Sequence, residues 1–349
     1  MLQLTTKIIG LKKLFPLQIS RGTSTGSRNV FVFVSDGTHT GVGECAPGTG
    51  DDEDLAGRAV EQIEELAKGG LSELVIQETY DRMVNMGVEA PAMAGVDCAL
   101  WDLLAKQAGM PLYKMFGLGK PIAPTSVTVG INPPEVVEER VPEMLTKWTN
   151  WEGKALKIKL GNPEGIDADK ESYEASRKAA SPYNVSLRVD ANGGWSVSQA
   201  MHMMEWLAER DCEYVEQPLA KGEEGGLPEI FNNRPLPIYL DESVHFAHDI
   251  PAIADRCDGV NMKLMKTGGL TEALRVVATA RAHSLGTMIG CMGESSIAIA
   301  AGCSIGALMD YIDLDAHFNL DPDPAGGTKM VAGVVLPTNR PGHGGYLTD

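Results

Sequence analysis

Short apolar-rich runs over residues 2–9 and 29–35 read as strands, the second continuing past an Asp36-Gly37 turn into 39–44 as a hairpin. Between the first two lies the Gly-, Ser- and Thr-rich stretch 20–27, which reads as a loop, either a plain surface connection or a lid. A second polar loop, 47–54, carries Asp51, Asp52, Glu53 and Asp54. Helical spacing of apolar residues follows over 55–68 and 72–85, then over 91–108, an Ala-rich helix opened by a proline. Gly109, Pro111 and the 117–124 segment interrupt the pattern, which places a domain boundary near residue 120.

Beyond that point the pattern becomes repetitive. Strand-like runs recur at 125–129, 155–160, 186–190, 213–216, 237–241, 259–263, 286–290 and 310–315, with helical patterns such as 134–148, 167–180, 196–209 and 271–283 between most of them. Eight strands about 22–31 residues apart predict a closed parallel α/β barrel rather than an open sheet. The weakest helical unit is 246–254. The Gly- and Pro-rich tail from Pro322 contains one apolar run, 330–336, expected to return as a strand and rejoin the N-terminal region. The expected organisation is therefore 1–120, 121–320 and a returning segment 321–349.

Charge enters this pattern where it is costly. In Ala155-Leu-Lys-Ile-Lys-Leu160 two lysines sit two residues apart in a run that otherwise reads as buried, so both ammonium groups share one face of the strand. The next predicted strands supply the counter-charge: Asp190, Glu216 and Asp241 close three successive strands, and Lys263 closes the fourth. The C-terminal ends of barrel strands face the active site. Three carboxylates without a histidine or cysteine companion favour one hard divalent cation, Mg2+, with Mn2+ as a substitute. Taken singly, each acid reads equally well as a helix cap or a solvated loop residue. A lysine on either side of the acids, Lys159 and Lys263, fits removal of a proton from a carbon beside a carboxylate and its return from the opposite face. The metal and Lys157 would stabilise the resulting enediolate. A lysine serves as base only when its pKa falls, which burial and neighbouring positive charge favour.

A formal charge of −17 argues against general nucleic-acid binding. The six cysteines lie far apart without metal-ligand spacing and read as free thiols of a reducing, cytoplasmic compartment. No stretch has the pattern of a secretory signal or the apolar length of a membrane span.

Lys157-Ile-Lys159, Arg188-Val-Asp190-Ala-Asn192, Glu216-Gln-Pro218, Asp241-Glu-Ser243 and Lys263-Leu-Met-Lys266-Thr-Gly-Gly269 are each weak signals, but in this order and spacing they resemble the muconate-lactonizing subgroup of the enolase superfamily over nearly the whole chain. The resemblance implies an N-terminal α+β capping domain over a modified TIM barrel of (β/α)7β type. It carries the metal-ligand role onto Asp190, Glu216 and Asp241, and the acid/base roles onto Lys159 and Lys263. Asn192 and Lys266 are expected around the metal ligands, with Lys266 packed over the acids. Homo-oligomers are common in this family.

The subgroup spans several reactions, so these residues do not name the substrate. Asp313-Leu-Asp315 resembles the Asp-x-Asp motif with which dipeptide epimerases hold a substrate ammonium group. Around Cys291, Met292 and Glu294 the chain is similar to the family's seventh-strand segment; Met292 and Glu294 are expected at the substrate, and Cys291 as a packing residue. From the capping loops, Arg21 or Arg28 is expected at the substrate's distal group. If the acidic run from Asp51 overhangs the pocket, a cationic C-terminal residue would be favoured over an acidic one; the same run also reads as the acidic start of a helix. The reading is a dipeptide epimerase. An N-succinylamino acid racemase, an o-succinylbenzoate synthase and a non-catalytic barrel stand as alternatives.

Overall fold

The computed structural model describes residues 2–48, 54–71, 74–148 and 153–348. Strands β1 (Gln3–Ile19), β2 (Gly22–Ser35) and β3 (Thr40–Cys45) form an antiparallel meander, followed by helices α1 (Leu55–Lys68), α2 (Ile76–Met86) and α3 (Ala90–Gln107). Val30, Val32 and Val34, alternate residues of β2, share one face of the sheet and pack with Ile63, Tyr80, Met83 and Leu100 of the helices. Gly41 and Gly43 let α3 approach β3 so closely that a Cβ at either would overlap the α3 backbone.

The loop expected over 20–27 is mostly strand. β1 and β2 pair through Leu17↔Ser24, Gln18↔Thr23 and Ile19↔Gly22, leaving only Ser20 and Arg21 as the turn. Pairing with β1 satisfies the backbone of this Ser/Thr-rich segment, and that tertiary contact outweighs its loop-like composition.

The barrel follows α4 (Leu112–Met115). Its elements are β4 (Ser126–Val129), α5 (Pro134–Lys147), β5 (Ala155–Lys159), α6 (Ile166–Ala180), β6 (Ser186–Asp190), α7 (Val197–Ala208), β7 (Cys212–Glu216), α8 (Leu227–Asn233), β8 (Ile238–Leu240), β9 (Gly259–Lys263), α9 (Leu264–Thr267), α10 (Leu270–Ala282), β10 (Gly286–Gly290), α11 (Ser296–Cys303) and β11 (Tyr311–Ile312). The eight strands are parallel and hydrogen-bonded in sequence order, and a bridge between Thr125 and Ile312 joins the last to the first. The predicted modified barrel with its α+β cap is thus the observed fold. Between β8 and β9 a 3-10 segment, Ala247–Ala252, with Pro251 inside it, stands where the weakest helix was expected.

Strand periodicity sorts the barrel interior into layers. The entry side is plugged by Tyr214, Tyr239, Tyr311 and Met288. The guanidinium of Arg188 lies 4.9 Å from the Tyr311 ring centroid and donates to Glu213 at 2.8 Å. Gly259 and Gly286 lack side chains where a Cβ would overlap the Tyr239 ring and hydroxyl. Toward the C-terminal ends of the barrel strands the buried residues include Lys157, Asp190, Glu216 and Lys263. An apolar and aromatic floor thus lies beneath a charged layer.

Cap and barrel meet through buried carboxylates. Glu44 accepts from Ser295 Oγ at 2.6 Å and Asn29 Nδ2 at 2.7 Å. Asp97 of α3 accepts from Thr271 N at 3.0 Å and Thr271 Oγ1 at 2.5 Å. Burial pushes the Asp97 carboxyl up to about 7 against these hydrogen bonds. Between an unfolded value of about 4 and this one, the folded chain holds a proton that the unfolded chain has released, so stability falls as pH rises through that window. The expected loss is up to about 4 kcal/mol, levelling off above the folded value. Asp97→Asn should remove this component. Urea unfolding of both proteins from pH 4.5 to 8 checks it, and parallel pH profiles would refute it.

The C-terminal segment forms a small hairpin, β12 (Ala325–Gly326) pairing with a last strand, Tyr346–Leu347, around a second hairpin of Lys329–Val331 and Val334–Leu336. It returns to the capping helices: Leu112 N donates to Gly342 O at 2.8 Å and His343 N to Asp102 Oδ1 at 2.9 Å. Among the described residues no helix is long and apolar enough to cross a membrane.

Candidate active site

In an eight-stranded barrel, β5 and β9 are four strands apart and therefore face each other across the axis. They end in Lys159 and Lys263. Strands β6 and β7, and the residue following β8, place Asp190, Glu216 and Asp241 on the arc between them. Ligand oxygens of these three buried acids lie within 4.8 Å of one another. Glu216 Oε2 and Asp241 Oδ1 are buried and receive no hydrogen bond, although Lys157 Nζ is 2.9 Å from the first and Lys266 Nζ 2.5 Å from the second. An all-oxygen set of three convergent, buried carboxylates fits a hard divalent cation.

The electrostatics are those of a crowded charge cluster. Burial raises the Glu216 carboxyl to about 8, and neighbouring Asp190 adds to the effect. Asp190 and Asp241 are buried too, but their lysines outweigh desolvation and hold both below the usual carboxylate range. Lys159 Nζ lies 2.5 Å from Asp190 Oδ2 and Lys263 Nζ 2.6 Å from Asp241 Oδ2. A falling lysine pKa was expected. For Lys263 burial does act that way, but Asp241 more than offsets it and the ammonium is held above its ordinary value. Lys157, fully buried one pleat below Lys159, touches Asp313 (2.6 Å), Glu216 (2.9 Å) and Asp190 (3.3 Å). Desolvation opposes its charge, and the three carboxylates win.

Around this cluster, Lys266 donates to the carbonyls of Asp241, Val244 (2.9 Å) and Asn261 (3.0 Å), and burial lowers its pKa. Asn192 N and Nδ2 donate to the two oxygens of Asp190 at 2.8 and 3.2 Å. Sequence reasoning assigned no role to Gln217 or Asn261. Gln217, at φ 37°, accepts from Asp241 N at 2.9 Å, and Asn261 Nδ2 donates to Glu216 Oε1 at 2.9 Å. Asn261 was findable, since it lies two residues before Lys263 and must share its face.

A cavity of about 250 Å3 opens above the cluster between cap and barrel, lined by Lys159, Lys263, Asp241, Asp313 and Asp315 among others. Asp315 Oδ2 accepts from Thr128 N at 2.7 Å; burial and Asp313 raise its carboxyl to about 6. Met292 lines the cavity with Leu17, Ile19 and Trp148. Other expected positions differ. Glu294 is not among the lining residues: its carboxylate accepts from Met292 N at 2.7 Å, and burial raises it to about 8. Arg21 lines the cavity, but its guanidinium binds Glu242 at 2.6 Å and the Asn192 carbonyl at 2.7 Å, latching the β1–β2 turn to the barrel. Arg28 is exposed and pairs with Asp54 at 2.9 Å, while Asp54 caps α1 by accepting from Gly57 N. Asp51 lies outside the described residues. Cys291 packs beside Asp313, its Sγ 3.2 Å from the Asp313 carbonyl.

Two family models match this chain: the mandelate racemase / muconate lactonizing enzyme N-terminal domain over residues 3–117 and the enolase C-terminal domain-like family over 141–348. The chain belongs to the enolase superfamily, and within it is an isomerase of the epimerase kind. It is 53% identical to a hydrophobic dipeptide epimerase of Flavobacteria bacterium (strain MS024-2A), covering 98% of this chain and 97% of that one. It is 54% identical to the hydrophobic dipeptide epimerase of Roseobacter litoralis, covering 97% of each. The structure of a dipeptide epimerase from Cytophaga hutchinsonii, complexed with Mg and the dipeptide D-Ala-L-Val, superposes with a TM-score of 0.90 at 27% identity, over 99% of this chain and 95% of that one. Identity of 53–54% over nearly the whole chain to named epimerases, rather than membership of the superfamily, counts against the non-catalytic alternative.

Proposed function

We propose that the protein epimerises dipeptides by moving the α-proton of the C-terminal residue, with Lys159 and Lys263 working from opposite faces. The observation that carries this reading is their placement four strands apart in an eight-stranded barrel, on either side of three convergent acids. Asp190, Glu216 and Asp241 would hold one Mg2+, with Mn2+ accepted by the same oxygen set. When bound, the metal supplies Lewis-acid polarisation of the substrate carboxylate, which acidifies the neighbouring C–H. Each lysine pairs with a metal-ligand carboxylate at 2.5–2.6 Å, so the reacting carbon must lie close to both the acids and the lysines. Lys157 holds a fixed positive charge at the base of the cluster, where it stabilises negative charge developing on the substrate carboxylate.

Asp313 and Asp315 support a dipeptide over an N-acylated or carbocyclic acid, because they set two buried carboxylates at the wall of the same cavity. Asp313 is paired with Lys157 at 2.6 Å, whereas Asp315 has no ion pair among the described residues and is the acid better placed for a substrate ammonium. Leu17, Ile19, Trp148 and Met292 give the cavity an apolar wall, which suits an apolar side chain on the epimerised residue better than a charged one. The close relatives' names agree with that preference.

The test is an L,L-dipeptide library incubated with the protein and Mg2+ in D2O and read by mass and optical rotation. A one-dalton gain with loss of stereochemical purity is expected, strongest for apolar C-terminal residues. No exchange across the library, or faster exchange of N-succinylamino acids, would overturn the reading.

A further inference from the structure

Four lysines line the cavity: Lys13, Lys159, Lys263 and Lys266. The last three are each bound to a metal-ligand carboxylate. Lys13 has no ion pair or hydrogen bond among the described residues, although burial lowers its pKa and Cys291 and Asp315 attract it from a distance. An unpaired ammonium in a largely buried position is costly unless a ligand supplies the counter-charge.

Its position follows from an irregularity in the cap. β1 and β2 run in register from Gln3↔Ser35 to Lys12↔Gly26, and the register then shifts before resuming at Leu17↔Ser24. Such a shift re-aims the side chains within it. Here it carries Lys13 over the loop after β10, beside Gly293. A Cβ added to Gly293 would stand 3.6 Å from Lys13 Nζ and 3.6 Å from Ser27 Oγ. The glycine therefore leaves a space bounded by an ammonium and a hydroxyl, in the same cavity as Asp315, whose carboxylate attracts Lys13. Ser27 Oγ likewise has no hydrogen bond among the described residues.

We infer that Lys13 and Ser27 form a subsite for the side chain of the substrate's N-terminal residue, selecting a carboxylate there, as in Glu or Asp, and rejecting Lys and Arg. The inference rests on the dipeptide reading above, because it takes the substrate ammonium to lie at Asp315. A side chain on the same α-carbon then starts beside the Gly293 gap. Its carboxylate would receive hydrogen bonds from Lys13 Nζ and Ser27 Oγ, whereas a cationic side chain would meet Lys13 with like charge.

The test compares kcat/KM for L-Glu-L-Leu and L-Lys-L-Leu, each normalised to L-Ala-L-Leu, in the wild type, Lys13→Met, Lys13→Glu and Ser27→Ala. The wild type is expected to favour Glu over Lys at least about tenfold, the discrimination of one charge pair. Lys13→Met should bring the ratio to within about threefold of unity, Lys13→Glu should invert it, and Ser27→Ala should lower only the Glu arm. Turnover of L-Ala-L-Leu with a Glu/Lys ratio unmoved by either Lys13 variant would overturn the subsite and leave the dipeptide reading standing. Absence of turnover for all three dipeptides in the wild type, with exchange of an N-acylamino acid instead, would overturn both.

Discussion

Replacing either Lys159 or Lys263 by alanine is expected to reduce epimerisation by about 10²–10⁴-fold, the range for removal of a positioned acid or base, while leaving one half of the proton chemistry intact. The two lysines end strands on opposite sides of the barrel, so under the proposed mechanism each would reach only one face of the reacting carbon. In Lys159→Ala, Lys263 remains to remove the proton from one of the two epimers. That epimer should still exchange its α-proton with deuterium and return without inversion, whereas the other should neither exchange nor convert. Lys263→Ala should show the mirror behaviour. Proton NMR of each pure epimer in D2O separates the two cases. Loss of exchange from both epimers in one variant, with the other variant exchanging both, would refute opposed bases and point to a single base on one face. The measurement also bears on how a lysine held protonated by Asp241 becomes a base. The carboxylate attracting Lys263 belongs to the proposed metal set, so the charge balance at the lysine depends on what those acids bind.

Removal of the divalent metal is the second large effect. Treatment with a chelator should abolish exchange and epimerisation together, and added Mg2+ should restore both. Glu216→Gln should weaken Mg2+ binding, measured by calorimetry, at least about tenfold, because one of three charged oxygen ligands becomes a neutral amide. The physical basis lies in the buried acids: Glu216 is raised by burial and by Asp190, and its Oε2 accepts no hydrogen bond. A divalent cation would relieve the repulsion among the three carboxylates. Unchanged Mg2+ affinity in the variant would remove Glu216 from the ligand set, whatever its effect on activity.

How far the chain could be read before folding varied with the kind of feature. The barrel strands were legible because each is a short apolar run bounded by helical patterns, and the repeat allowed weak runs to support one another. The strand ends were legible because a charge that closes an otherwise buried strand stands out. The turn at Ser20-Arg21 was misread as a broad loop, since its Ser- and Thr-rich flanks are ordered only by pairing with β1. Arg21 and Glu294 show a related limit. Their residue types suit substrate binding; in the fold Arg21 lines the cavity while paired with Glu242, and Glu294 accepts from the Met292 amide. Such choices depend on partners distant in sequence, or on backbone direction within a turn.

By itself, then, the order of residues along the chain determined the architecture and the charged layer of the barrel. Period-two alternation within each strand and a near-constant repeat are local properties, and they leave one way to bring Lys159, Asp190, Glu216, Asp241 and Lys263 to the same end of a parallel sheet. Tertiary structure alone decided which charges are already spent and which remain free. Lys157 and Asp313 lie 156 residues apart and pair at 2.6 Å. Lys13, by contrast, is carried by a register shift in the capping sheet to the cavity that Asp315 lines without forming an ion pair. Coulomb energy depends on distances and burial that arise only when cap and barrel close on each other, and no local pattern encodes them.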